Sequence, residues 1–416
     1  MKLISKKIKK CRLCKESKLQ DIFNLGELFV SNFVKKKFIN KGIKAPLNLV
    51  YCKNCSLLQL DHSAPQEIMY RRFYWYRSGV TSTMIKALKE IYTSIEELNI
   101  LNPKDVVLDI GANDGTLLKN FKKKYTTIGC EPAKNLEKSL RKNCSFVINN
   151  FWDIKYLNQI LKKNNLKKPK LITAIGMFYD LEDPIKFVKD AAKSLDEDGL
   201  FIAQLQCLNS MIEKNDLGNI CHEHLEFYNF KSLKYLFEKC GLKIFKIEEN
   251  EINGGSYRIF CKKNIKKSIT YKEKTSLKDI RKFIKNVKIN KEKCISFIDQ
   301  AIKKNKKVFV YGASTKGNTT LQYYNLDQTK IPYAAERSPE KWGKYTIGSG
   351  VKIISEKEAR KINPDYFLVM PYGFINEFVK REKNWIKKGE IYTVIEMKVM
   401  NQQNKLLGFK LEEMIF

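Results

Sequence analysis

The sequence predicts an α/β protein in three parts. Residues 1–65 form a small cysteine-bearing domain, 66–261 a Rossmann-like unit, and 306–416 a second Rossmann-like unit beyond a linker and connecting helix at 262–305. Three observations lead there. Two C-x-x-C pairs lie within the first 55 residues, strand and helix patterns alternate over about 66–261, and an apolar strand runs into a glycine turn twice, at 106–115 and 308–317. A chain of 416 residues is also too long for one hydrophobic core.

The amino-terminal part rests on Cys11-Arg-Leu-Cys14 and Cys52-Lys-Asn-Cys55. Two residues between thiolates let both sulfurs of one turn face a single ion, and two such turns complete a four-sulfur shell that suits Zn²⁺. With no ligand position open to water, the zinc is read as structural. The long interval from Cys14 to Cys52 calls for a loop or small strands between the knuckles. Thioredoxin-like redox chemistry is the competing reading, and the missing βαβ pattern ahead of the pairs speaks against it. Eleven cysteines, an odd number in a long chain, argue for a reducing compartment rather than a disulfide framework. The basic start lacks an apolar signal-peptide core, and no apolar run is long enough to span a bilayer, so a cytoplasmic protein with no membrane partner is expected.

The formal charge of +33 comes from 78 Lys and Arg against 45 Asp and Glu. Nearly all the excess is lysine, scattered along the chain in runs such as Lys122-Lys123-Lys124. Solvated lysine faces account for it, and an anionic small molecule is compatible with it. A zinc-containing nucleic-acid-binding protein is the rival from another class. It would gather arginines and aromatics around the knuckles, and these are not seen, so no nucleic acid is expected.

In the second part, Val106-Val107-Leu108-Asp109-Ile110-Gly111-Ala112-Asn113-Asp114-Gly115 reads as strand and turn. Gly111 and Gly115 permit a tight turn and close backbone approach to a ligand. The spacing is not that of a pyrophosphate-binding fingerprint. S-adenosylmethionine (SAM) carries no phosphate and needs acids for its ribose and amino group. Asp109, at the strand end, suits the amino-acid portion, and Asn113 sits in the turn. About twenty residues on, Thr127-Ile128-Gly129-Cys130-Glu131 is a strand ending in an acid that can take both ribose hydroxyls. Asn150 and Phe151, one strand further, are candidates to edge the adenine. Leu171 to Tyr179 is the fourth strand, whose carboxyl end faces the methyl donor. The ordered set predicts a class I SAM methyltransferase domain; a dehydrogenase-type Rossmann domain is the alternative.

Only three histidines occur, and two lie together in Cys221-His222-Glu223-His224-Leu225. This is the one cluster of near-neutral titrating groups and the candidate general base. A metal role lacks a third ligand at suitable spacing; a buried structural histidine is the alternative for either one. Tyr70 to Gly79 is dense in hydroxyl, aromatic and cationic groups and suits either a polar ligand or interdomain packing. Asn253-Gly254-Gly255-Ser256 is a turn before a strand.

The polar stretch 262–279 reads as a linker, and apolar spacing predicts a helix over about 277–304. The third part opens with Tyr311-Gly312-Ala313-Ser314-Thr315-Lys316-Gly317-Asn318, where hydroxyls and a lysine at a helix amino end suit an anion such as a diphosphate. Glu336 and Arg337 follow the next strand. An empty turn that only packs is the alternative.

Taken in order, the cysteine pairs, Leu108 to Gly115, Cys221 to Glu226, Asn253 to Ser256 and Tyr311 to Asn318 resemble the nucleotide-sugar C-methyltransferases of deoxysugar biosynthesis, over nearly the whole chain. The resemblance implies an amino-terminal zinc domain, a central SAM domain and a carboxy-terminal Rossmann-like domain that holds the nucleotide diphosphate. It implies methylation at carbon 3 of an NDP-4-keto-6-deoxyhexose through an enolate, with His224 as base. Glu223 would orient the imidazole or the sugar, and Tyr74 and Tyr76 would contact the sugar or the enolate oxygen. His222, Asn253, Gly254, Ser314, Lys316, Gly317, Asn318, Glu336 and Arg337 are the expected substrate contacts. The chain departs from the family at Cys221, where tyrosine is usual, and at Met177-Phe178-Tyr179-Asp180, where an asparagine-rich form is usual. A heptose acceptor, or a sugar hydroxyl oxygen in place of carbon, are the alternatives these departures leave.

Overall fold

The computed structural model describes residues 5–272, 274–370, 375–383 and 390–393. The last part of the expected 306–416 unit therefore lies outside the described residues. No helix among those described is long and apolar enough to cross a membrane.

Strands Leu19–Phe29 and Lys44–Cys52 fill the interval between the cysteine pairs and run antiparallel, Leu19 opposite Cys52. Lys44–Cys52 buries mainly alternate residues, among them Leu47 and Leu49, as a strand with one covered face does. Leu58–Leu60 is the third strand of this sheet. The fourth, Glu226–Phe227, comes from far along the chain.

The central sheet has seven strands. In chain order they are Val106–Ile110, Thr126–Cys130, Phe146–Ile148, Leu171–Ile175, Leu200–Gln206, Lys243–Asn250 and Ser256–Lys262. Their spatial order is third, second, first, fourth, fifth, seventh, sixth. Only the seventh runs against its neighbours. Val106–Ile110 is buried at every residue, because a parallel sheet is covered on both faces. Side-chain caps start its helices: Thr81 for Ser82–Glu96, Asp153 for Ile154–Lys163, Asp183 with Pro184 for Pro184–Ser194, and an Asn229–Ser232 capping box for Phe230–Lys239. Phe178, just past the fourth strand, is fully buried against Phe187, Tyr228 and Phe237, with ring centroids 5.5–5.7 Å away.

Helix Leu277–Lys303 follows, started by a Ser276–Asp279 capping box and burying Ile280, Phe283, Ile284, Val287, Cys294, Ile298 and Ala301 along one stripe. The third part carries a second seven-stranded sheet. Its order is Glu390–Thr393, Tyr366–Val369, Val308–Tyr311, Tyr333–Glu336, Lys352–Ser355, Tyr345–Thr346 and Phe33–Val34. That last edge strand belongs to the cysteine-bearing segment and pairs antiparallel with Tyr345–Thr346.

Truncating the aromatic knot should be expensive. Phe178→Ala is expected to lower unfolding free energy by about 3–5 kcal/mol, the range for a buried phenylalanine, read as a shifted urea midpoint at unchanged slope.

Candidate active site

The four paired cysteines converge. Their sulfurs lie within 4.8 Å of one another, with Cys11 to Cys55 at 3.5 Å and Cys14 to Cys52 at 3.4 Å, all as free thiols. Disulfide sulfurs sit ~2.05 Å apart. Sulfurs on a tetrahedron around zinc sit ~3.8 Å apart, given Zn–S bonds of ~2.3 Å. The donor set fits the second arrangement. Burial pushes the Cys52 thiol up to about 11, and Cys55 is raised further by its bond to Cys11. A divalent cation at the centre would let four crowded thiols, three of them buried, ionise together.

The glycine turn is fixed by Glu131. Its carboxylate accepts from Asn113 N at 2.9 Å through one oxygen and from Ala133 N at 2.9 Å through the other. Gly111 (φ +75°) and Asn113 (φ +52°) take the left-handed conformation the turn requires. Residues 76–79 of the aromatic stretch lie over this turn: Asn113 Nδ2 donates to the Tyr76 carbonyl at 3.2 Å, and Ser78 N donates to Asn113 Oδ1 at 3.0 Å. Burial pushes the Asp109 carboxyl up to about 7, and its oxygen accepts from the Thr173 hydroxyl at 2.6 Å.

A cavity of about 400 Å³ opens from the turn. Gly111, Asn113, Glu131 and Phe151 line one end, and Tyr74, Tyr76, Glu223, His224, Asn253, Ser314 and Lys316 line the rest. The third part thus contributes directly, through the amino end of helix Thr315–Tyr324.

His224 is buried, with its ring edge-on to Tyr179 at 4.5 Å. Its Nδ1 lies 2.9 Å from the Asn219 carbonyl, which can only accept, so Nδ1 carries the proton. Nε2 makes no bond among the described residues and keeps its lone pair for the cavity. Burial, and after it the Lys316 charge, hold the imidazole well below its ordinary range and therefore neutral. Asn219 is a junction: its side chain accepts from Lys316 Nζ and donates to Asp216, both at 2.7 Å. The Glu223 carbonyl accepts from Tyr70 OH at 2.7 Å and its carboxylate from Thr315 OH at 2.8 Å. Burial raises the Glu223 carboxyl, and raises that of Asp180, the next acid along the wall, further still, with Glu223 adding to it.

Other expected site residues lie outside the lining. Asp109 faces into the sheet, and Gly115 packs on Asn143 and Leu140. Asn150 accepts from Arg71 at 3.2 Å and donates to Tyr156 OH at 2.8 Å. Gly254 accepts from Lys214 through its carbonyl at 3.0 Å. Gly317 abuts Met370, Asn318 is buried and accepts from Ser349 at 3.1 Å, and Arg337 pairs with Glu377 at 3.4 Å on the surface. Glu336 accepts from Ala313 N at 3.0 Å and Ser338 N at 2.9 Å. His222 turns the other way and bonds the Ala45 carbonyl through Nε2 at 2.9 Å.

Asp216 and Asn219 were not singled out from sequence, yet the first lines the cavity and the second orients the imidazole. Asp180, read from sequence only as a departure from the family, also lines the cavity, within the loop after the fourth strand. Asn219 had no usable signal, because it acts on His224 through its backbone.

Burial lowers the His222 pKa to about 4. Unfolded, it titrates near 6.5, so below that pH the unfolded chain takes up a proton that the folded chain refuses. The stability of wild type relative to His222→Gln should therefore fall by about 1.4 kcal/mol per pH unit between roughly 6.5 and 4, in paired denaturant titrations.

Three family models match the chain in the order of its parts. They are a zinc binding domain over residues 11–70, a methyltransferase domain over 80–247 and a C-methyltransferase C-terminal domain over 251–395. The C-methyltransferase NovU of Streptomyces niveus is 22% identical over 423 residues, spanning 98% of this chain and 100% of that protein. Among solved structures, an S-adenosylmethionine-dependent methyltransferase from Clostridium acetobutylicum is 15% identical, covers 42% of this chain and 89% of its own, and superposes with a TM-score of 0.33. Magnesium protoporphyrin IX methyltransferase from Synechocystis, with bound SAH, is 11% identical over 45% of this chain and 89% of its own, at a TM-score of 0.34.

Proposed function

We propose that this chain, an S-adenosylmethionine-dependent C-methyltransferase with a structural zinc site, methylates the carbon beside the ketone of a nucleotide-linked 4-keto-deoxysugar, through an enolate. In this reading residues 1–65 hold zinc, 66–261 bind SAM, and 306–416 anchor the nucleotide. The observation that carries the chemistry is the pose of His224, with Nδ1 committed to a carbonyl and Nε2 open to a cavity that runs to the SAM turn.

Carbon attacks a methyl sulfonium poorly unless it becomes an enolate, so the chain must supply a base and a partner for the oxyanion. SAM supplies the electrophilic methyl group when bound. Neutral His224 takes the proton from the carbon next to the ketone on Nε2, the C–H electrons pass into the enolate, and the proton later leaves to solvent. Glu223, held by Thr315, and Asp180 share the cavity wall with His224. Tyr74 and Tyr76 are hydroxyl donors suited to the sugar and the enolate oxygen. Glu131 takes the ribose of SAM.

A nucleotide handle is supported by a likeness between the two Rossmann-like units. Glu336 accepts from an amide of its own glycine turn and from the amide two residues beyond itself, as Glu131 does in the SAM unit. A small anionic molecule handled in this way accounts for the lysine-rich surface without nucleic acid or membrane, and a cytoplasmic enzyme is the reading that goes with it. Transfer to a hydroxyl oxygen is the second reading. It draws on Asp180, a buried carboxyl in the cavity wall with one oxygen lacking a hydrogen bond, which suits a hydroxyl-bearing acceptor.

His224→Gln is expected to leave SAM affinity unchanged and to slow turnover by about 10²–10⁴-fold. It should also abolish deuterium wash-in at the acceptor carbon when S-adenosylhomocysteine replaces SAM in D₂O. Wash-in that persists removes His224 from the role, and methylation of a sugar without a ketone favours oxygen transfer. As the cofactor control, Glu131→Ala should weaken SAM binding, with each lost charge-assisted bond worth about 1.5–3 kcal/mol by titration calorimetry.

A further inference from the structure

We infer that Arg12 and Glu226 are positioning residues through which the zinc domain holds His224 in its working pose. The inference rests on the reading of His224 as the base.

The segment Cys221–Phe227 leads from the cavity wall into the zinc domain's sheet. On its far side it bonds that domain. His222 bonds the Ala45 carbonyl, and the Leu225 carbonyl accepts from Leu60 N at 2.9 Å. Glu226 and Phe227 then pair as a strand with Gln59 and Leu58. On the near side, Leu225 N and Glu226 N share the Tyr179 carbonyl, at 2.8 and 3.1 Å. The base is thus suspended between the end of the fourth strand and the zinc sheet.

Arg12 stands between two zinc ligands, Cys11 and Cys14. Its guanidinium Nε lies 3.4 Å from Glu226 Oε1, with both side chains almost wholly buried. The same arginine donates to Ser63 Oγ at 3.0 Å, and its backbone N donates to Gln59 Oε1 at 3.1 Å. Gln59 in turn donates to Cys11 Sγ at 3.3 Å. One side chain therefore joins a zinc knuckle to the residue two places beyond His224.

A buried ion pair is weak evidence of stability, because desolvation offsets the attraction. Its best-attested use is to specify register. That use is needed here: Glu226–Phe227 is only two residues long, and a slip of one residue would turn its side chains to the opposite faces and drag His224 with them. Apolar side chains would hold the sheets together equally well without choosing between those registers.

The test compares wild type, His224→Gln and the double variant Arg12→Met/Glu226→Leu, which leaves no buried charge unpaired. The readouts are zinc per chain, SAM affinity, kcat and KM for an NDP-4-keto-6-deoxyhexose, and the NMR titration of His224, one of only three imidazoles in the chain. The expected double variant keeps one zinc and binds SAM within threefold of wild type, yet loses tenfold or more in kcat at nearly unchanged KM. Its His224 imidazole also shifts toward the ordinary pKa as its surroundings loosen. Wild-type kcat with an unchanged His224 titration overturns the inference. If the double variant fails to fold, Glu226→Gln, which keeps the shape but removes the charge pair, takes its place under the same two outcomes. Full turnover in His224→Gln would overturn the reading of the base instead, and the imidazole titration of the double variant would still decide the positioning role.

Discussion

Two very short strands hold three sheets in one frame. A sheet edge exposes unpaired amides and carbonyls, and proteins cover such edges. Here Glu226–Phe227 covers an edge of the zinc sheet, and Phe33–Val34 covers an edge of the carboxy-terminal sheet. The zinc segment thereby grips both Rossmann-like units at once. The cavity lies between those units, so its shape depends on this exchange: Tyr179 and Asp180 come from one wall, Thr315 and Lys316 from the other.

Dry surroundings set the chemistry inside that frame. Burial keeps His224 uncharged and raises the carboxyls of Glu223 and Asp180, so the wall presents a neutral imidazole beside carboxyls that resist ionising. From across the interface Lys316 opposes the rise of the Glu223 carboxyl and adds to the effect of burial on the imidazole. In the proposed role, such an imidazole works by being desolvated and aimed rather than by high intrinsic basicity. The Asn219 carbonyl does the aiming.

Patterns of local chemistry were legible in the sequence. The knuckles, the strand with its glycine turn, Glu131 and the long amphipathic helix all announce themselves through spacing, and the structure has each where the spacing implies. Relations across the chain were not legible. Nothing in the aromatic stretch says that Tyr76 and Ser78 lie over the Gly111 turn, since those bonds use backbone groups that any residue carries. The two neighbouring histidines look alike in sequence, yet one faces the cavity and the other faces Ala45; the turn at 221–224 decides which. Asp109 and Asn318 look like ligand groups because they are polar residues flanking glycine turns. Packing has instead given them partners inside the protein.

The helix Leu277–Lys303 acts as a ruler. Its 27 residues, all helical and capped, span about 40 Å at 1.5 Å per residue. Adding one residue would push everything beyond it by ~1.5 Å and rotate it by ~100°, swinging Ser314 and Lys316 out of the cavity wall. The shortest step that restores the phase to within about 20° is seven residues, which adds about 10 Å. Length variation in this helix is therefore closed to gradual change. A change of acceptor is most directly made by substitution in the walls, at positions such as 177–180 and 314–316, with the distance between the two units left untouched.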